Sequence, residues 1–224
     1  MNVNNMIDHT KLGANVSTSQ IRALAEEARE HGFKSVCVNP IWVKEAKRLL
    51  EGSDVLTCTV IGFPHGTHKR EVKAFEASEA VKDGADELDM VINVADLKEG
   101  RDLDVTEDIR GVVNAADGRT VKVIIETCYL SMEEIVRACM CAKNAGADFV
   151  KTSTGFGTAG ATVEHVALMV STVGDTLGVK ASGGVRTYDD AIRMIEAGAT
   201  RIGTSNGVQI VTKRRENNDS NTAY

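Results

Sequence analysis

The chain has 224 residues, 42% of them hydrophobic, enough for one sizeable core and within the range of a single α/β barrel domain. Its formal net charge is −6, with acidic and basic residues mixed along the chain, so the basic stripe of a nucleic-acid binder is missing. No apolar run approaches the roughly 20 residues of a membrane span, and the opening Met1-Asn-Val-Asn-Asn5 carries neither the charged region nor the apolar core of a signal peptide. A cytoplasmic location is therefore expected, with no nucleic-acid or membrane partner.

The elements follow in chain order. Ile7–Thr10 reads as a first strand, and Thr18–Glu30 as a helix with Ile21, Leu24, Ala25 and Ala28 at helical spacing. A helix that ends in glycine and runs straight into an apolar strand then recurs. His31-Gly-Phe33 precedes Val36–Val38, Asp83-Gly-Ala85 precedes Leu88–Val91, Ala145-Gly-Ala147 precedes Phe149–Val150, and Ala197-Gly-Ala199 precedes Arg201–Gly203. Gly32, Gly84, Gly146 and Gly198 suit the left-handed position that ends a helix. Their separations of 52, 62 and 52 residues each enclose one further strand, Leu56–Ile61, Val121–Ile125 and Val179–Ser182. Half of each interval is a plausible βα unit.

Eight strands and seven intervening helical segments, Met132–Asn144 among them, predict a (β/α)8 TIM barrel over residues 1–212, with an open doubly wound sheet as the alternative. Asn206–Val211 can form only a short last helix. The polar stretch 213–224, ending in Tyr224, is expected to be a mobile tail.

The five cysteines form no C-x-x-C pair, so reduced thiols are expected and the spacing argues against zinc. His65-Gly-Thr-His68 reads as a solvated loop rather than a metal site.

Strand residues alternate between the barrel interior and the surrounding helices. With Leu88 and Met90 on the helix side, Glu87 and Asp89 point inward. The same parity sends Lys122, Glu126, Lys151 and Lys180 inward, and Asp8 joins them from the first strand. Barrel interiors are normally filled by branched apolar side chains. An inward set this charged is either a buried salt-bridge network or a site, and buried networks are seldom a net gain over apolar packing. The charges are expected late in their strands, towards the C-terminal face.

Lys151 and Lys180 end two neighbouring strands, and each runs into a small-residue turn, Thr152-Ser-Thr-Gly155 and Ala181-Ser-Gly-Gly184. One ammonium beside another loses its proton more easily, which is one route to a nucleophilic amine at neutral pH. A protonated imine on lysine is an electron sink for carbon–carbon cleavage next to a carbonyl, and it needs no metal. One lysine would attack while the other stays cationic, and a carboxylate would move protons. Ser182-Gly-Gly-Val-Arg186 and Gly203-Thr-Ser-Asn206 follow the last two strands, the usual phosphate cradle of this fold.

Several motifs, in order, carry a resemblance: Ile7-Asp-His-Thr10, Gly62-Phe-Pro64, Glu87-Leu-Asp-Met-Val-Ile-Asn93, Lys122-Val-Ile-Ile-Glu-Thr127, Lys151-Thr-Ser-Thr-Gly-Phe156 and Lys180-Ala-Ser-Gly-Gly-Val-Arg186. From near residue 6 to near residue 212 the chain resembles the 2-deoxyribose-5-phosphate aldolase family. The resemblance implies a class I aldolase without metal or cofactor, interconverting 2-deoxy-D-ribose 5-phosphate with acetaldehyde and D-glyceraldehyde 3-phosphate in deoxyribonucleotide catabolism. It implies Lys151 as the Schiff-base lysine, Lys180 as the neighbouring cation, and Asp89 as the proton-transfer group, with Lys122 and Asp8 in support. Tyr224 is similar to a C-terminal tyrosine that assists enamine protonation in that family.

Gly155, Gly183, Gly184, Arg186, Gly203, Ser205 and Asn206 are the expected phosphate-binding residues. Asn206 stands where the family often has a second serine, and Phe156 where some members carry a phosphate-contacting lysine. A homo-oligomer, dimer or tetramer, is expected. The alternatives are another Schiff-base aldolase or transaldolase on the same barrel, and a non-catalytic sugar-phosphate-binding scaffold.

Overall fold

The computed structural model describes residues 3–212. Eight parallel strands close on themselves in sequence order: β1 Ile7–Lys11, β2 Ser35–Val38, β3 Leu56–Ile61, β4 Glu87–Val91, β5 Thr120–Ile124, β6 Phe149–Lys151, β7 Gly178–Ser182 and β8 Arg201–Thr204. The ring is completed by β1 pairing with β8, which sets Asp8 opposite Gly203. The closed barrel decides against the open sheet.

Nine α-helices lie among the described residues: α1 Thr18–His31, α2 Val43–Leu49, α3 Arg70–Lys82, α4 Val94–Lys98, α5 Asp102–Ala115, α6 Met132–Ala145, α7 Val163–Val173, α8 Tyr188–Glu196 and α9 Gly207–Thr212. The sequence reading missed the short α4, whose five residues hold barely one turn of apolar periodicity. Local sequence explains the firm boundaries. Capping boxes, which satisfy orphan N–H groups reciprocally, open α1 (Ser17 with Gln20), α6 (Ser131 with Glu134) and α8 (Thr187 with Asp190). Gly32 and Gly146 end α1 and α6 at φ 62° and 83°, where a side chain would strain the backbone.

The main core lies between strands and helices. In α1 the buried residues are Ile21, Leu24, Ala25 and Ala28, the four expected from the spacing. They belong to one continuous core with outward strand residues from around the barrel, among them Ile7, Val36, Ile61, Leu88, Met90, Val123 and Val150. The barrel interior is different: a small apolar cluster of Cys37, Cys58 and Val60, with Leu12 and Phe63 against it, faces a polar and charged remainder.

Candidate active site

Seven charged side chains meet inside the barrel. Strand alternation puts them there: Glu87 and Asp89 share one face of β4, and the register sets Asp89 beside Lys122 and Lys151 beside Lys180. Asp89 is the hub. Its Oδ1 accepts from Lys122 Nζ at 2.8 Å, and its Oδ2 accepts from Lys151 Nζ at 2.8 Å and Lys180 Nζ at 2.7 Å. Lys180 also donates to Asp8 in a very short contact. Lys122 reaches Glu87 at 2.6 Å and Asp8 at 3.7 Å. Beneath them Arg201 spans Asp8 at 2.7 Å and Glu87 at 2.9 Å.

The titration behaviour follows from these contacts. Burial works against ionising Asp89, yet the ammonium groups of Lys122, Lys151 and Lys180 prevail and hold its carboxyl well below the usual carboxylate range. Asp8 behaves the same way, with Lys180, Lys122 and Arg201 outweighing burial. Burial likewise opposes the charge on Lys180, but Asp8 and Asp89 overcome it and raise its pKa. Lys180 is a fixed cation. The network counts four cations (Lys122, Lys151, Lys180, Arg201) against three carboxylates (Asp8, Glu87, Asp89). Lys151 has one carboxylate partner where each of the other three cations has two or more, and its side chain keeps 4% exposure where those of Lys122 and Lys180 have none.

Three loops beyond the strand ends form a small-residue rim. Ala161 N donates to Gly183 O at 3.0 Å and Thr204 Oγ1 to Val185 O at 2.6 Å, tying the segment after β6 to the one after β7 and that one to the end of β8. Gly155, Gly183 and Gly184 adopt φ of 89°, 80° and 77°, which only glycine takes without cost. Across the mouth Phe156 stacks edge-on against Phe63, centroids 5.4 Å apart.

The profile of the DeoC/LacD family aldolase matches residues 3–213. The chain belongs to the DeoC/LacD aldolase family. A deoxyribose-phosphate aldolase of a Geobacillus species is 59% identical over 219 residues, covering 97% of this chain and 98% of that one. One from Listeria monocytogenes is 60% identical over 213 residues, covering 95% and 96%. The solved tetrameric deoxyribose phosphate aldolase of Aeropyrum pernix superposes with a TM-score of 0.88 at 35% identity, covering 94% of this chain and 89% of that one.

Within this family member, Asp8, Asp89, Lys122, Lys151 and Lys180 lie together in one network, on the inward faces expected from parity. Glu126 does not join them. β5 ends at Ile124, and Glu126, at φ 54°, turns away to accept from the N–H of Thr154 at 3.2 Å and from its hydroxyl. Its role is to hold the loop after Lys151. Nor do the charges gather late in their strands, since Glu87 and Arg201 open theirs.

Gly203 lies inside β8, paired on both sides, and a Cβ there would sit 2.9 Å from Lys180 Cε. Gly155, Gly183, Gly184, Ser205 and Asn206 lie on the rim, and Arg186 follows the glycine pair of the loop after β7. Tyr224 and the stretch 213–224 lie outside the described residues.

Two functional neighbours went unread in the sequence. Arg201 shares the inward parity of Gly203, and that parity was its signal. Cys58 donates to Asp89 Oδ1 at 3.2 Å and receives Lys122 Nζ at 3.4 Å. It stands in register with Cys37, and one ligand atom from each of Cys37, Cys58 and Asp89 falls within 4.8 Å of the others. Linear spacing argued against such a cluster; strand pairing assembles it.

No helix among the described residues is long and apolar enough to cross a membrane.

Proposed function

We propose that the chain is a Schiff-base aldolase that reversibly cleaves 2-deoxy-D-ribose 5-phosphate to acetaldehyde and D-glyceraldehyde 3-phosphate, with Lys151 as the nucleophile. One observation carries this reading: four buried cations face three carboxylates, and Lys151 is the cation with a single partner. With Lys151 neutral the count is three against three, so the free amine that attack requires is the state in which the buried charges balance.

The steps follow from the contacts. Lys151 Nζ adds to the C1 aldehyde, and Asp89, 2.8 Å away, relays protons as the carbinolamine loses water. The iminium restores the fourth positive charge beside Asp89 and draws electrons as the C3 hydroxyl loses its proton and the C2–C3 bond breaks. Glyceraldehyde 3-phosphate leaves. The enamine is protonated at C2 and hydrolysed to acetaldehyde. Lys180 stays cationic throughout, Lys122 and Asp8 fix Asp89 and Lys180, and Tyr224 is assigned to enamine protonation.

The phosphate is assigned to Gly155, Gly183, Gly184, Arg186, Gly203, Ser205 and Asn206. The support is the left-handed glycines, whose backbone admits an anion closely, and the junction of the loops after β6 and β7 at the end of β8. Residues 1–212 are assigned to the barrel and 213–224 to a tail, in a cytoplasmic homo-oligomer. The tetrameric assembly of the Aeropyrum relative supports the last point.

Borohydride reduction in the presence of acetaldehyde, followed by peptide mapping, tests the reading. A reduced ethyl adduct on Lys151 is expected. An adduct on Lys180 alone reverses the lysine roles, and a folded protein with no adduct overturns the mechanism.

A further inference from the structure

Cys37 and Cys58 are direct partners on adjacent parallel strands, and both side chains face the barrel interior, fully buried. Neighbouring strands run about 4.8 Å apart, inside the Cα separation of roughly 4.4–6.8 Å that a disulfide spans. The two sulfurs lie within 4.8 Å of each other and of an Asp89 carboxylate oxygen. Cys58 also touches Lys122 at 3.4 Å. The pair is therefore one carboxylate away from the Lys151 amine: Cys58 contacts Oδ1 of Asp89 and Lys151 contacts Oδ2. Any route that brings an aldehyde to Lys151 brings a molecule as small as a peroxide to the same wall.

We propose that Cys37 and Cys58 are an oxidation site, converted by hydrogen peroxide to an intramolecular disulfide that turns the lysine–carboxylate site off. The inactivation half rests on the aldolase reading above; the disulfide itself does not.

The chemistry is balanced within the pair. The Cys37 sulfur attacks one peroxide oxygen, the O–O bond breaks, and the leaving hydroxide takes the Cys37 proton as water. The Cys58 sulfur then attacks the sulfenic sulfur of Cys37, the S–O bond breaks, and a second hydroxide leaves as water with the Cys58 proton. Two thiols lose two electrons, and one peroxide becomes two waters.

The order of attack follows from the surroundings. Burial and the neighbouring Asp89 carboxylate push the Cys58 thiol well above the ordinary thiol range, and its S–H is committed to Asp89, so Cys37 is the sulfur that attacks first. The ammonium groups of Lys122 and Lys180, both on Asp89, repel a dication. They select oxidation over metal binding as the use of this cluster. The disulfide has no S–H, so Asp89 loses the Cys58 donor while the apolar wall of Leu12, Val60 and Phe63 is drawn towards the new bond. Loss of one hydrogen bond to a buried carboxylate corresponds to roughly tenfold or more in turnover.

The reduced protein is treated with hydrogen peroxide, quenched, and analysed by intact mass and non-reducing peptide mapping, with cleavage activity and acetaldehyde–borohydride trapping read on the same samples. Expected are a mass lower by two hydrogens, a cross-linked peptide joining Cys37 to Cys58, turnover down at least tenfold, and recovery with dithiothreitol. Oxygen adducts on single thiols, or cross-links confined to Cys128, Cys139 or Cys141, overturn the site. A Cys37–Cys58 cross-link with activity retained overturns the switch. Trapping on the untreated protein reports on the aldolase reading separately. Cys37→Ser, compared with its own untreated control, should keep its remaining activity under peroxide; loss at the wild-type rate also overturns the site.

Discussion

Replacing each of the two lysines on Asp89 Oδ2 by methionine should separate their roles in stability as well as in catalysis. Lys151 holds one carboxylate contact, at 2.8 Å, and Asp89 keeps Lys122 at 2.8 Å and Lys180 at 2.7 Å when it goes. Lys151→Met therefore removes the surplus charge and puts an apolar chain of similar volume in its place, at a cost below about 1.5 kcal/mol. Lys180 holds Asp8 and Asp89 together at 0% exposure. Lys180→Met takes Asp8's shortest partner away inside a dry interior, where breaking a pair costs about 3–5 kcal/mol. With a urea m-value of about 2–3 kcal/mol/M, the difference appears as a midpoint about 0.5–2.5 M lower for Lys180→Met than for Lys151→Met.

Catalysis should divide differently. Lys151→Met forms no borohydride adduct at any pH. In Lys180→Met the three remaining cations balance the three carboxylates only while Lys151 is protonated, so the acidic limb of the pH–rate profile moves to higher pH. Equal midpoints for the two variants, or an unmoved profile in Lys180→Met, would refute the charge-count argument.

Lys73 is fully buried, paired with Asp108 and donating to Val91 O at 2.9 Å at the end of β4. Burial raises the Asp108 pKa above its ordinary 3.8 even though Lys73 opposes it. In Lys73→Met that rise should grow, so the folded state binds a proton the unfolded state releases, and the penalty of about 3–5 kcal/mol near pH 7 should shrink as pH falls towards 4. Urea midpoints against wild type across that range check it, and a pH-independent penalty would sink it. Deleting Tyr224 should slow turnover and leave the melting temperature nearly unchanged; full activity in the shortened chain would make the residue a bystander.

Phe156, 46% exposed at the mouth, offers no charge to a phosphate, so discrimination between 2-deoxyribose 5-phosphate and free 2-deoxyribose should be weak beside that of lysine-bearing relatives. Phe156→Lys should raise the kcat/KM ratio a few-fold, since a half-exposed ion pair contributes at most about 1 kcal/mol. An unchanged ratio would place the phosphate elsewhere.

How much of this was legible in the chain depended on which physical rule each feature obeys. A period of two tells which side of a strand a residue takes, and that rule found Asp8, Asp89, Lys122, Lys151 and Lys180. It failed at Glu126 because the alternation was carried past the end of β5, where the chain turns through a positive φ and the strand rule no longer applies. Gly203 read both as the last residue of the eighth strand and as the head of the Gly-Thr-Ser-Asn turn; in the fold it lies within β8, and its missing side chain is the space that Lys180 occupies.

Parity cannot tell which neighbours an inward residue meets, because that is a property of closure. Asp8 and Arg201 are 193 residues apart, and only the pairing of β1 with β8 brings them to 2.7 Å. Cys37 and Cys58 are likewise invisible to any spacing motif, since their contact is made by the register of β2 on β3. In a barrel the order of strands fixes the cyclic order of inward residues, but the height at which each enters the interior is set by register. A shift of two residues on β3 would keep Cys58 inward and still take it away from Asp89. The proton-transfer geometry, and with it the susceptibility of the two thiols, therefore depends on eight strand registers agreeing at once, which no local pattern records.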